Sequence, residues 1–130
     1  MLAAGMLMTG IALSGCTSSS ELGIFDRDQT DTDFLPASSA EAIEGVDTAS
    51  ARFLWENDGS SFYAARGEGP NAGRTCLVIV PPYDGPTSAC GGIPVTIGLD
   101  GMPAYKLDDA GEGDDGWTKV ADYLYAEETK

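Results

Sequence analysis

The chain has 130 residues, a length that suits one domain, and its 7 basic and 21 acidic side chains give a formal net charge of −14. A negative charge of this size argues against binding to nucleic acid, whose phosphates are also negative. It favours solubility and the binding of cations or basic partners. Histidine is absent, so the commonest general base and the commonest metal ligand are both missing, which disfavours catalysis.

An apolar run opens the chain. Residues 2–13 have the length of a signal peptide and are too short to span a bilayer as a mature helix. The run ends in Leu13-Ser14-Gly15-Cys16, an aliphatic residue and two small residues before a cysteine. This order resembles the lipobox of bacterial lipoproteins. The resemblance implies a signal peptide over residues 1–15 and cleavage between Gly15 and Cys16. It also implies a diacylglyceryl group on the Cys16 thiol, whose fatty acids a palmitate analogue would label.

One feature departs from that pattern. Signal peptides normally open with lysine or arginine, and neither precedes Cys16, so we expect the true start to lie upstream. The alternative is a buried N-terminal helix with a chance Leu-Ser-Gly-Cys. The lipobox is favoured because the polar stretch 17–20 follows it, as a tether would. It predicts a cell-membrane protein, lipid-anchored, with its domain on the extracytoplasmic side.

Residues 16–37 are expected to form the lipidated cysteine and an acidic flexible tether, because they contain few residues that could build a core. Parts of this segment could still dock on the domain through its apolar residues, Leu22, Ile24, Phe25, Phe34 and Leu35. The stretch 21–27, with Leu35-Pro36 after it, resembles small uncharacterised lipoproteins of actinobacteria. The likeness covers residues 13–36 well and the remainder loosely, and it implies a location without an activity.

The exported domain is assigned to residues 38–130. Ser38 and Glu41 have the spacing of a capping box, which predicts a short helix over residues 39–44 that stops at Gly45. Asp58-Gly59 lies between the aromatic-rich runs 52–56 and 61–65. This pattern predicts a hairpin with a two-residue loop that sets Trp55 opposite Phe62.

Further strand signals follow in chain order. The apolar run 76–80 predicts a central buried strand that Pro81-Pro82 ends, and residues 83–92 are expected to form a turn-rich excursion. A second hairpin joins 95–99 to 102–107 around Asp100-Gly101, and 117–125 is expected to close the chain as one strand. The predicted fold is mostly β: a small antiparallel sheet of five or six strands with one short N-terminal helix, stapled by one disulfide.

The disulfide prediction rests on the number of cysteines. Three is odd for an exported protein, and if Cys16 carries lipid, Cys76 and Cys90 remain as a pair. An oxidising location favours a disulfide bond between them. The bond would close a loop of about 15 residues and raise the free energy of unfolding by roughly 3 kcal/mol. Two free thiols and a metal site are the alternatives. A metal site is disfavoured because two thiolates without histidine are a weak ligand set.

An acidic loop at residues 108–116 is a weak candidate for calcium, which takes six to eight oxygen ligands. Its spacing does not match an EF-hand, so a solvated loop without metal or other cofactor is expected. The candidate ligands are Asp108, Asp109, Glu112, Asp114 and Asp115.

No catalytic motif is present. The serines lack a histidine partner and a Gly-x-Ser-x-Gly elbow, and no phosphate-binding fingerprint appears. Acidic residues are numerous, but no pair is marked out for glycoside hydrolysis. Several aromatic residues could form a binding face for a sugar or a peptide, although most are expected to fill or cover the core. They are Trp55, Tyr63, Tyr83, Tyr105, Trp117, Tyr123 and Tyr125.

These observations predict a lipid-anchored cell-envelope lipoprotein that is a non-enzymatic binding or structural module. Its expected partners are the membrane, through Cys16, and an envelope protein or glycan, but not nucleic acid. The alternatives are a small carboxylate-dependent hydrolase and an accessory subunit of a larger envelope enzyme.

Overall fold

The computed structural model describes residues 22–109 and 116–128. Across these residues, two four-stranded antiparallel sheets account for the strands, with orders β1-β2-β3-β4 and β5-β6-β8-β7. The first sheet comprises β1 (Val46–Asn57), β2 (Ser60–Gly67), β3 (Thr75–Val80) and β4 (Thr87–Gly91). The second comprises β5 (Val95–Ile97), β6 (Tyr105–Leu107), β7 (Trp117–Ala121) and β8 (Leu124–Glu127).

Short helices precede and interrupt the strands. Helix α1 spans Ala37–Ala42, and single 3₁₀ turns span Gly23–Asp26, Asp31–Asp33 and Gly69–Asn71. None of the helices within residues 22–109 and 116–128 has the length and apolar character needed to cross a bilayer. The predicted mostly-β antiparallel class with one short N-terminal helix is confirmed, with two sheets and more strands than expected.

The first hairpin forms where the sequence predicts it. Trp55 pairs with Phe62 across β1 and β2, and their ring centroids lie 5.3 Å apart. Asp58 and Gly59 have φ angles of 50° and 81°, the left-handed conformation that this two-residue turn requires of both residues. The observed strands extend the hairpin well beyond the predicted 52–56 and 61–65.

The core has two layers, one on each face of the first sheet. Alternation along β2 sends Phe62 and Ala64 into the space between the sheets, where the side chains of Tyr105 and Leu107 meet them. On the opposite face, Tyr63 belongs to a second cluster that is covered by α1 and the chain leading to β1. The predicted central strand over 76–80 is confirmed, because β3 pairs with both β2 and β4 and is buried along most of its length.

The tether prediction is wrong for residues 22–37. Leu22, Ile24 and Phe25 are buried between the sheets, and Leu35 is buried on the outer face of the first sheet. The apolar residues of this segment therefore dock despite the surrounding acidic residues. The packed domain includes residues from Leu22 onward, while the predicted signal peptide over 1–15 and residues 16–21 lie outside the described part.

The start of α1 also differs from the prediction. The N–H groups of Ser39 and Ala40 donate to the carbonyl oxygen of Pro36, so the helix begins earlier and Ser38 lies inside its first turn. The predicted capping box at Ser38 is therefore absent. A reciprocal arrangement occurs instead at Thr30, whose N–H donates to the Asp33 carboxylate while its carbonyl accepts the Asp33 N–H.

The observed strands differ from the predicted ones in three later segments. The second half of the 83–92 excursion is strand β4, which pairs along β3. The segment 117–125 is a hairpin rather than one strand, because the chain turns at residues 122–123 and Tyr123 takes a φ of 68°. The second predicted hairpin is present as the β5–β6 pair, but its strands are short and its turn lies within a wider loop over residues 98–104.

Candidate functional site

The predicted disulfide is present. Cys76 in β3 and Cys90 in β4 are directly opposite in the antiparallel register and are covalently bonded. Cys76 is fully buried, so the bond joins an edge strand to the middle of the first sheet. Cys16, with the predicted cleavage site at Gly15, lies outside the described residues.

The calcium candidates are only partly described. The Asp108 carboxylate accepts the N–H of Asp109 at 2.8 Å, while Glu112, Asp114 and Asp115 lie outside the described residues. Within 22–109 and 116–128, no group of three or more Cys, Asp or Glu side chains is placed to hold a metal ion. The acidic loop therefore stays a sequence-based candidate.

Most of the aromatic candidates belong to the core, as expected. Tyr63, Tyr105 and Tyr125 are buried, and Trp55 is half-buried against Phe62. Burial raises the pKa of the Tyr63 and Tyr105 hydroxyls. Tyr83 is the exception, with 97% of its side chain exposed.

Tyr83 belongs to a group of three loops that meet at one end of the two sheets, which we call the loop end. It comprises the β1–β2 turn over 57–59, the β3–β4 loop over 81–86 and the β5–β6 loop over 98–104. The first two loops touch, because a side chain at Gly59 would come within 3.2 Å of Pro82 Cβ.

A cleft separates the β3–β4 loop from the β5–β6 loop. Its volume is about 230 Å³, and its apolar lining comes from Pro81, Leu99 and Met102. Asp84 from the β3–β4 loop and Asp100 from the β5–β6 loop also line it. None of the three loops contains lysine or arginine. The cleft is therefore a partly apolar depression to which each loop contributes one aspartate.

A second cleft, of about 340 Å³, lies between the first 3₁₀ turn, β1 and the β7–β8 turn. Its only basic lining residue in the described part is Arg27, whose guanidinium donates to both carboxylate oxygens of Asp33, at 2.6 and 2.8 Å. The Arg27 guanidinium is therefore already paired with a carboxylate of the same chain. This cleft lies where residues 22–37, which we call the N-terminal segment, meet β1 and the β7–β8 turn.

Asp33 is the anchor of that segment. Besides Arg27, its fully buried carboxylate accepts the N–H groups of Thr30 and Phe53, each at 2.7 Å. These hydrogen bonds, led by that from Arg27, hold the pKa of Asp33 far below its usual range. Because Phe53 belongs to β1, the carboxylate also caps a backbone donor on an edge strand. The prediction of a tether gives Asp33 no such role, because its partner Phe53 is 20 residues away and no local pattern indicates the contact.

The remaining basic side chains mostly have internal contacts as well. Arg52 is buried and donates to the carbonyl oxygens of Arg27, Ser50 and Ala51. Arg66 lies 4.8 Å from the Phe25 ring centroid, and buried Lys106 lies 4.8 Å from that of Trp117. Four of the 7 basic residues are therefore turned toward the protein, so the outer surface is even more acidic than the net charge indicates.

The N-terminal segment and the loop end lie at opposite ends of the second sheet. A side chain at Gly23 would come within 2.9 Å of the Tyr123 hydroxyl, in the β7–β8 turn. At the other end of β8, the Glu127 N–H donates to the carbonyl of Ala104, in the β5–β6 loop. The first described residues therefore contact the end of the second sheet that is opposite to the loop end.

Comparison with family models, curated proteins and solved structures finds no match for this chain.

Proposed function

We propose that this chain is a lipid-anchored cell-envelope lipoprotein whose domain is a non-enzymatic binding module, presenting the loop end away from the membrane to an envelope protein or glycan. The observation that carries the proposal is the opposite placement of the first described residues and the loop end. The lack of histidine and of catalytic motifs in the sequence supports binding rather than catalysis.

The distance between lipid and domain supports the same orientation. Cys16 precedes Leu22 by six residues, which span at most about 20 Å even when fully extended. The end of the domain that contains Leu22 would therefore lie near the bilayer. The four residues of β8, at about 3.3 Å each, separate the β7–β8 turn from the β5–β6 loop and would hold the loop end roughly 13 Å further out. Repulsion between this acidic domain and anionic lipid would hold the domain off the membrane surface.

The anchor is tested by Cys16→Ser in cells that express the full precursor. We expect this variant to incorporate no palmitate analogue and to keep its signal peptide, because the thiol is the proposed lipid acceptor. The matched control is Ser19→Ala, a change just outside the lipobox, which should be labelled and cleaved normally. Labelling of Cys16→Ser at the level of the control would contradict the anchor.

The orientation is tested by placing a photo-crosslinking phenylalanine analogue at position 83 or, as the control, at position 34. Both side chains are exposed, but Phe34 lies in the N-terminal segment. We expect adducts with an envelope protein or glycan from position 83 and fewer from position 34, because only the loop end faces outward. Equal adduct formation at the two positions would contradict a binding role for the loop end.

A further inference from the structure

We propose that the loop end binds an extended basic segment of a protein partner, with lysine or arginine beside Asp84 and Asp100 and an apolar side chain in the cleft that they help to line. This proposal rests on the proposed function and names the class of partner. It follows from the size of the cleft, its charge and the display of Tyr83.

The cleft is too small for an ordinary small-molecule ligand. Its volume of about 230 Å³ lies below the roughly 300–1,000 Å³ that is typical of such pockets. One or two side chains of a peptide would fill it. Its lining by Leu99, Met102 and Pro81 makes an apolar side chain the suitable occupant, because filling the cleft would remove apolar surface from water.

The negative charge around the cleft determines which residues of the partner should flank that side chain. Within the described part of the chain, neither Asp84 nor Asp100 is paired with a cation. Asp58 adds a third carboxylate in the adjoining β1–β2 turn, and no basic residue in the three loops balances them. This unbalanced negative charge would attract a basic segment and repel an acidic one.

Tyr83 supplies the exposed contact that a partner would cover. An almost fully exposed tyrosine gains little from folding, but tyrosine is among the residues that contribute most to binding interfaces, and its ring also attracts cations. The loop contains Pro81, Pro82 and Pro86, and Pro82 rests against Gly59. These restrictions reduce the entropy lost when the loop binds.

Fluorescence anisotropy of the full chain in non-ionic detergent tests the proposal with three short labelled peptides. One alternates lysine with leucine, one alternates glutamate with leucine, and one alternates lysine with serine. We expect the lysine–leucine peptide to bind about tenfold more tightly than either of the others, since only it satisfies both the carboxylates and the apolar cleft. Its affinity should fall as salt is added.

Variants locate the binding surface. Tyr83→Ala should lower the affinity for the lysine–leucine peptide about tenfold or more. The double change Asp84→Asn with Asp100→Asn should lower this affinity and also make it less dependent on salt. Phe34→Ala, the other exposed aromatic, and Glu41→Gln with Glu44→Gln, an equal charge change on and after α1, should leave affinity unchanged.

Two results would overturn the proposal. One is equal affinity for the three peptides, and the other is tight binding of the lysine–leucine peptide that the loop-end variants do not alter. Adducts from position 83 with glycan alone would also overturn it, while leaving the proposed binding function intact. Failure of the partner class is therefore distinguishable from failure of the binding function.

Discussion

Replacing both Cys76 and Cys90 with alanine is expected to lower the free energy of unfolding by about 2–4 kcal/mol. The bond closes a loop between residues 14 apart in sequence, and losing it gives the unfolded chain more conformations. Reduction should have the same effect. Denaturant titration of the oxidised, reduced and doubly substituted forms measures the loss, and mass spectrometry after non-reducing alkylation should find no free thiol in the native domain.

The damage should be greatest near β4. This strand lies at the edge of the first sheet, its residues are only half-buried, and it follows the proline-rich loop. Hydrogen exchange in the doubly substituted protein should therefore accelerate most over residues 81–94 and less in the β1–β2 hairpin. Ser88→Ala is the matched control, because it changes a side chain of the same strand and leaves the bond intact. Free alkylation of both thiols in the native protein would contradict the bond.

The parts of the fold that sequence predicted well are those with local causes. Asp58-Gly59 suits a tight turn without help from distant residues, and it fixes the register that sets Trp55 opposite Phe62. The run 76–80 is apolar on both faces, a pattern that indicates a strand covered on both sides. The cysteine pair was likewise available from counting, once Cys16 was assigned to lipid.

The errors arise where structure depends on distant contacts. The composition of residues 22–37 predicts a tether because the segment is acidic and contains few residues that could build a core. Yet Asp33 is paired with Arg27 and accepts a hydrogen bond from Phe53, 20 residues away. The turn at Tyr123 was missed because it lacks the glycine that usually marks a left-handed residue. The loop-end cleft could not be predicted either, since it joins Pro81 and Leu99 from loops on different sheets.

Asp33→Ala is expected to destabilise the protein by about 3 kcal/mol, at the lower end of the range for breaking a buried ion pair because Arg27 keeps partial access to water. The substitution removes the acceptor for two Arg27 hydrogen bonds and for the N–H groups of Thr30 and Phe53. Residues 22–36 should then exchange their amide hydrogens faster, because Asp33 fastens this segment to β1.

The same residue predicts an acid-dependent loss of stability. The pKa of Asp33 is lowered in the folded protein, chiefly by the hydrogen bonds from Arg27, so folding favours the ionised carboxylate. Its contribution should be complete above about pH 5, and it should decline progressively as the pH falls below the unfolded value of about 3.9 toward the still lower pKa of the folded protein. The wild type should therefore lose more stability than Asp33→Ala between about pH 7 and about pH 3.

The matched control is Asp31→Ala, which removes an exposed carboxylate from the same 3₁₀ turn. Both variants lose one negative charge, so general relief of repulsion affects them equally, and their difference isolates the contacts of Asp33. Urea titrations across this pH range provide the free energies of unfolding, and hydrogen exchange locates the change. If Asp33→Ala matched Asp31→Ala in stability, in pH dependence and in exchange over residues 22–36, the proposed fastening of the N-terminal segment would be wrong.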